Sequence, residues 1–322
     1  MIPFAKPMIG PEEKAAVLKA MDSPRLTEGP LVEEFERAFG EMHGGHAVAV
    51  SSCTAALKLC ARFIGKPTEL TAMTHVATAA IMWPEHIMFR DCDSNGHCPT
   101  TGISVSFLGA PCFPADIQDL ATAVGLERCG RFCCYSFYPS KHMTTGEGGM
   151  IVCRNEYDAS QLKRDRAFGK TTVDGSFDVI SHGLNFRMSE IQAAIGIEQL
   201  KKLPGWLETR KRNWHEMAER LPHDLRVLDT SGGSYYALSA YVPDGVDRDA
   251  YRTRLGKAGI ETSIYYPVPV PHLTYYKEKY GHKWGEFPNA ERIATRSVCF
   301  PVGPHIGERE MDTICKAAKE CL

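Results

Sequence analysis

No run of about 18 consecutive apolar side chains occurs in the 322 residues, so the sequence offers no membrane-spanning helix. An excess of one charge is also missing. Thirty-seven Lys and Arg against 39 Asp and Glu leave a net charge of −2. A basic surface for nucleic acid or an anionic membrane is therefore not expected. The N-terminus, MIPFAKPMIG, lacks the apolar core of a secretory signal, and the expectation is a soluble cytoplasmic protein. There is no G-x-S-x-G, no H-E-x-x-H and no P-loop, which removes three common chemistries. Internal repeats and low-complexity segments are absent, which argues against a solenoid or a disordered chain.

What is present suits a large folded enzyme. The chain is 43% apolar and 24% charged, enough for one large domain and a smaller one. Pro204-Gly205 is the best hinge, so the expected domains are residues 1–204 and 205–322. Twelve cysteines is a high count. Cys60 lies on a helix face and Cys133, Cys134 and Cys153 lie in strands, so buried free thiols are expected. Cys92, His97 and Cys98 have a C-x5-C spacing that matches no common zinc pattern, and no metal site is expected.

Read for periodicity, Pro11 opens a helix with Val17, Leu18 and Met21 on one face. Arg25–Pro30 is a loop. Pro30 opens a second helix with Leu31, Phe35, Ala38 and Phe39 on one face, ended by Gly44-Gly45. A strand over Ala47–Val50 runs into Ser51-Ser52-Cys53-Thr54, read either as an ordinary N-cap or as an anion site at a helix N-terminus. Further strands fall at His86–Arg90 and Ile103–Leu108, and Ala115–Val124 has helical spacing. Ser189 caps a helix with Ile191, Ala194, Ile195 and Leu200 on one stripe. Beyond Gly205, strands near Leu225–Leu228 and Tyr235–Val242 alternate with helices near Arg248–Lys257 and Asn289–Arg296, as in a small α+β domain.

The organising stretch is Arg131–Cys153, RFCCYSFYPSKHMTTGEGGMIVC. Two buried strands flank a loop with one lysine, Lys141, and a cluster of glycines. Gly146, Gly148 and Gly149 permit a tight turn. A lysine held between buried strands is partly desolvated, which makes an amine a usable nucleophile toward carbonyls.

SFYPSKHMTTGEGGM resembles the lysine segment of the DegT/DnrJ/EryC1/StrS family of aminotransferases, which act on nucleotide-linked keto-sugars. LTEGPLVEEFE, Thr74-His75-Val76-Ala77-Thr78 and NFRMSEIQAAIGIEQL resemble the same family in the same order. The resemblance implies an α/β, fold-type I pyridoxal-phosphate enzyme, with a mostly parallel sheet flanked by helices and a smaller C-terminal domain. It implies pyridoxal 5′-phosphate carried by Lys141 as a Schiff base. Ser52, Cys53, Thr54 and Ser136 are then expected at the cofactor phosphate and His75 stacked on its ring. Asn185 would reach the phosphate in the neighbouring subunit of a homodimer, so that the active site is shared. Thr27, Arg187 and Tyr266 would face the substrate. The implied reaction moves an amino group from an amino acid, glutamate by resemblance, to a keto-sugar or similar small molecule.

Two departures matter. Cys53 replaces the family's glycine, so the backbone is expected to approach the phosphate less closely. The strand ending in Glu-Asp-Ala-Ala, whose Asp pairs with the pyridinium nitrogen, finds no counterpart between the helix read at Ala115–Val124 and Arg131; Glu127 lies nearest the gap. If that Asp is absent, the cofactor is re-tuned toward decarboxylation or elimination, or the chain is a non-catalytic binding subunit.

Overall fold

The computed structural model describes residues 1–64, 68–82, 87–127 and 129–322. The chain begins with α1 (Pro11–Met21) and α2 (Pro30–His43), then alternates through β1 (His46–Val50), α3 (Cys53–Ala61), β2 (Thr68–Thr71), α4 (Val76–Ala80) and β3 (Ile87–Arg90). Next come β4 (Ile103–Val105), β5 (Ile117–Asp119), β6 (Phe132–Ser136) and β7 (Gly149–Cys153). His86, expected to start the third of these strands, lies outside the described residues.

The main sheet has the order β1-β7-β6-β5-β4, with β2 and β3 forming a parallel pair beside β4. β4, β5 and β6 pair in parallel, while β7 runs antiparallel to both β6 and β1. β7 is therefore the one reversed strand of the five. β6 and β7 are buried along their whole length, as strands covered on both faces must be.

Two helices show opposite ways of docking on the same partner, α6 (Glu190–Arg220). α2 buries Val32, Phe35 and Phe39, an ordinary apolar stripe. The face expected for α1 is not the one it buries: Leu18 and Met21 are exposed. α1 is held instead by buried Glu13, whose Oε1 accepts from Gln199 Nε2 and Lys202 Nζ, both at 2.7 Å.

After β7 come α5 (Glu156–Asp165) and an exposed hairpin of β8 (Lys170–Val173) and β9 (Ser176–Val179). α6 begins with a capping box between Ser189 and Gln192 and continues unbroken through Pro204, so the boundary expected at Pro204-Gly205 falls inside one helix. The remaining elements are β10 (Arg226–Val227), β11 (Leu238–Tyr241), α7 (Arg248–Lys257), α8 (Thr274–Tyr280), α9 (Pro288–Arg296), β12 (Ser297–Phe300) and α10 (Glu308–Glu320). β10, β11 and β12 form an antiparallel sheet packed with Trp214 and Met217 of α6. All twelve cysteines are free, and no described helix is long and apolar enough to cross a membrane.

The largest correction concerns Ala115–Val124. Residues Ile117–Asp119 form β5, and the chain leaves that strand in turns rather than in a helix. Ile117, Leu120, Ala121 and Val124 do have helical spacing. However, Ile117 faces one core cluster while Leu120 and Val124 face another on the other side of the sheet. The ladder positions vacant between β4 and β6 decide the outcome. The strand for which the sequence shows no counterpart is therefore present. What the β4–β5 connection lacks is the α-helix usual between parallel neighbours; it holds only a short 3₁₀ turn at Phe107–Gly109.

A polar side chain helps to cover the sheet face in that region. Gln118, fully buried in β5, accepts from Cys129 N at 3.0 Å and Gly130 N at 2.8 Å, pinning the following loop to the strand. Gln118→Leu keeps the volume but strands both amides. It is expected to lower unfolding free energy by about 2–4 kcal/mol in urea titration; an unchanged midpoint would show the loop is held by other contacts.

Candidate active site

A cavity of about 360 Å³ opens at the C-terminal ends of β1, β4, β5 and β6, where crossing strands of an α/β sheet leave room for a ligand. Into it come Ser52, Cys53 and Thr54 from the β1–α3 turn, His75 and Thr78 from α4, and Asp119 from β5. Ser136, Tyr138 and Lys141 enter after β6, with Tyr265 and Tyr266 from the C-terminal half. Seven of the residues named from sequence thus meet in one place: Lys141, Ser52, Cys53, Thr54, His75, Ser136 and Tyr266.

The phosphate-like corner is built by a close approach of strands. Gly149 pairs with Val50 on one side and Ser136 on the other, which brings the two serine-bearing strand ends together. A Cβ on Gly149 would lie 2.5 Å from the Ser52 carbonyl carbon, so only glycine fits. Ser52 caps α3: its Oγ accepts from Ala55 N at 3.1 Å, leaving its hydroxyl proton to donate elsewhere. The N–H groups of Cys53 and Thr54 have no acceptor among the described residues and lie in the first turn of α3, at the positive end of the helix. Cys53 packs into the core beneath α3, and burial pushes its thiol well above the ordinary range.

Lys141 closes a tight turn, its N–H donating to Tyr138 O at 2.9 Å. The residues after it are buried and tied down. Thr144 Oγ1 donates to Phe137 O at 2.9 Å, and Thr144 N donates to Gln199 Oε1 at 3.2 Å. Across the cavity, His75 caps α4 with Nδ1 accepting from Ala77 N at 3.1 Å, which leaves Nε2 as the protonated nitrogen of the neutral ring. Partial burial, and then the charge of Lys141, hold this imidazole below its ordinary range, against a smaller opposing pull from Asp119. A neutral, flat ring suits stacking.

Asp119 was not identified from sequence. Its Oδ2 accepts from Thr78 Oγ1 at 2.7 Å and its Oδ1 from Ala121 N at 3.1 Å. It is 5% exposed, and among the described residues no cation pairs with it. The signal was available: Gln118-Asp119-Leu120-Ala121 is the counterpart of Glu-Asp-Ala-Ala once the segment is read as a strand end. Glu127, nearest the gap in the sequence, does not line the cavity. Tyr138 and Tyr265 were also missed.

Three expected residues stand outside the cavity. Thr27 is exposed, and its carbonyl accepts from Glu190 N at 3.1 Å. Asn185 is exposed and bridges Ala167. The Arg187 guanidinium sits 5.1 Å from the Phe168 ring centroid.

The donor set fits pyridoxal phosphate. Neutral hydroxyls and helix N–H groups suit the phosphate, and a buried unpaired carboxylate suits a cationic ring nitrogen. A neutral imidazole suits the ring face, and an amine the aldehyde.

Comparison with known proteins agrees. The chain matches the DegT/DnrJ/EryC1/StrS aminotransferase family over residues 7–101 and 114–319; the unmatched residues contain β4 and the short 3₁₀ turn Phe107–Gly109 after it. It is 28% identical to the spore coat polysaccharide biosynthesis protein SpsC of Bacillus subtilis (strain 168) over 383 residues, covering 100% of this chain and 97% of that protein. The aminotransferase TlmJ from Streptoalloteichus hindustanus superposes with a TM-score of 0.88 at 25% identity, covering 100% of this chain and 98% of that one. The PLP form of Spr1654 from Streptococcus pneumoniae superposes with a TM-score of 0.86 at 22% identity, covering 100% and 99%. The chain belongs to the DegT/DnrJ/EryC1/StrS aminotransferase family, and is a pyridoxal-phosphate-dependent enzyme of fold-type I.

Proposed function

We propose that this enzyme transfers the amino group of an amino acid, glutamate first among the candidates, to a keto group on a nucleotide-linked sugar or a similar small molecule. The observation that carries the reading is the convergence of Lys141, His75 and Asp119 on one cavity at the strand ends. The name of SpsC, a polysaccharide biosynthesis protein, supports a sugar acceptor.

When bound, pyridoxal phosphate supplies an electron sink that makes the α-proton of an amino acid removable. Lys141 Nζ would hold the cofactor through its aldehyde, and as a free amine would hold and move a proton at the substrate carbon. Asp119 would face the ring nitrogen and stabilise a positive charge there. Ser52, Ser136 and the α3 N–H groups at Cys53 and Thr54 would hold the phosphate, and His75 would pack on the ring. Tyr266 faces the substrate side of the cavity.

Asn185, Thr27 and Arg187 act in this reading across a homodimer, since they stand outside their own protomer's cavity. The free thiols suit a reducing cytoplasm. The decarboxylase or lyase alternative rests on a missing ring-nitrogen Asp, and Asp119 in the cavity favours transamination over it.

Protein saturated with pyridoxal phosphate should show the visible band of a lysine-bound cofactor, and Lys141→Ala should lack it; wild-type protein without the band would end this reading. Asp119→Asn should keep the band yet slow the half-reaction with glutamate by roughly 100-fold or more, the scale of losing one group aimed at developing charge. An Asp119→Asn rate within a few-fold of wild type would remove the ring-nitrogen role. Mixing inactive Lys141→Ala with inactive Asn185→Ala protein should restore activity through mixed dimers, because one of their two sites has both residues. Mixtures that stay silent after subunit exchange would argue against a shared site.

A further inference from the structure

Behind Lys141 lies a segment that the family-based roles leave unused. Ser234–Tyr236 enters from the C-terminal half and is stitched to three sides of the cavity. Ser234 N donates to Gly109 O at 2.8 Å, Ser234 Oγ to Thr122 O at 2.8 Å, and His142 Nε2 to Ser234 O at 2.9 Å. Burial keeps His142 neutral by pushing it well below its ordinary range. The Tyr236 carbonyl accepts from Arg210 Nη1 at 3.0 Å. Its side chain is 3% exposed and has little freedom.

The ring that this scaffold fixes faces the lysine. Lys141 Nζ lies 5.2 Å from the Tyr236 ring centroid, within cation–π range. The Tyr236 hydroxyl donates to Ser140 Oγ at 3.3 Å and shares a 2.8 Å hydrogen bond with the Tyr265 hydroxyl. One side chain therefore touches the lysine nitrogen, the residue before that lysine, and a wall of the cavity.

We propose that Tyr236 is a positioning residue for Lys141: its ring face holds the lysine nitrogen over the reaction centre whenever that nitrogen is positively charged. The inference rests on the reading of Lys141 as the cofactor-bearing residue. It concerns the step in which the released amine must stay within reach of the substrate carbon. A lysine side chain has four rotatable bonds, and a wandering amine delivers its proton less often. The ring restricts it without offering a carboxylate that would trap it as an ion pair.

The experiment is single-turnover decay of the visible cofactor band on mixing holoenzyme with glutamate. Tyr236→Phe keeps the ring and should stay within about three-fold of wild type, whereas Tyr236→Leu should slow about ten-fold with little change in half-saturating glutamate. Both should retain the band. A fluorinated phenylalanine at position 236 keeps shape and fold while weakening the negative ring face, so its rate should fall below that of Tyr236→Phe as fluorines are added. A leucine variant as fast as wild type, a phenylalanine variant as slow as leucine, or a rate indifferent to fluorination would overturn the proposal. The controls separate it from the reading beneath it. If wild type lacks the band, the role of Lys141 fails. If the band is present and lost in Lys141→Ala while the Tyr236 series is flat, only this inference fails.

Discussion

A buried carboxylate without a cation sets the terms for this active site. Asp119 keeps its charge out of water with two neutral donors, the Thr78 hydroxyl and the Ala121 amide. Burying a carboxylate costs several kcal/mol unless attraction and hydrogen bonding offset it. Two neutral hydrogen bonds offset only part of that. The chain therefore carries a site whose electrostatics favour a cationic ligand atom at one defined place. The effect reaches neighbouring groups: after burial itself, the Asp119 charge is the next cause pushing the Cys53 thiol and the Tyr266 phenol upward. Both stay protonated and neutral at neutral pH, which leaves Lys141 as the one strong nucleophile lining the cavity among the described residues.

Holding Asp119 there requires β5 to stay between β4 and β6 although the preceding connection has no α-helix to press it into place. Residues on the uncovered face answer with polar anchoring in place of apolar packing. Ser104 Oγ accepts from Phe113 N at 3.1 Å, and Gln118 takes the amides of Cys129 and Gly130. Both side chains are fully buried under loop backbone. A loop laid over a sheet presents N–H groups that need acceptors, whereas a helix presents side chains that need apolar surface. The sequence of this face fits the first case. Shortening of the chain and the residue types of β4 and β5 are thus parts of one arrangement, and it leaves the strand ends, where the cavity lies, in register.

Much of the site was legible because its residues fall in local patterns. Lys141, Ser136 and Gly149 lie within one stretch framed by two strands buried end to end, and His75 and Ser52 each precede a helix that they cap. Asp119 was obscured by Ile117, Leu120, Ala121 and Val124, whose spacing satisfies a helix template while the ladder partners that make a strand lie elsewhere in the chain. The exposed Leu18 and Met21 of α1 have a similar cause: buried Glu13, paired with the half-buried Lys202, fixed the helix, and periodicity cannot register a partner 189 residues away. Tyr236 was invisible for the same reason, since its hydroxyl meets Ser140 across 96 residues of sequence. Local spacing reports which residues share a strand or a helix, but not which distant segment closes over them.

The cavity is also sparing with positive charge, and there is a chemical logic to it. Among the described lining residues Lys141 is the only Lys or Arg. A second lysine or arginine at the phosphate corner would bind phosphate more strongly, but an amine reserved for carbonyl chemistry has to be kept from serving as a counter-ion. In the proposed reading, neutral hydroxyls and the α3 N-terminus take that task, with the helix dipole contributing about 0.3–1 kcal/mol. The lysine is then opposed by an aromatic face at Tyr236 in place of a carboxylate. A nucleotide-linked acceptor brings further phosphate charge that this lining does not answer. If the acceptor is nucleotide-linked, as proposed, the cations that meet it come from beyond the cavity wall; Arg187, over the Phe168 ring and outside the cavity, is the candidate that the proposed shared site would use.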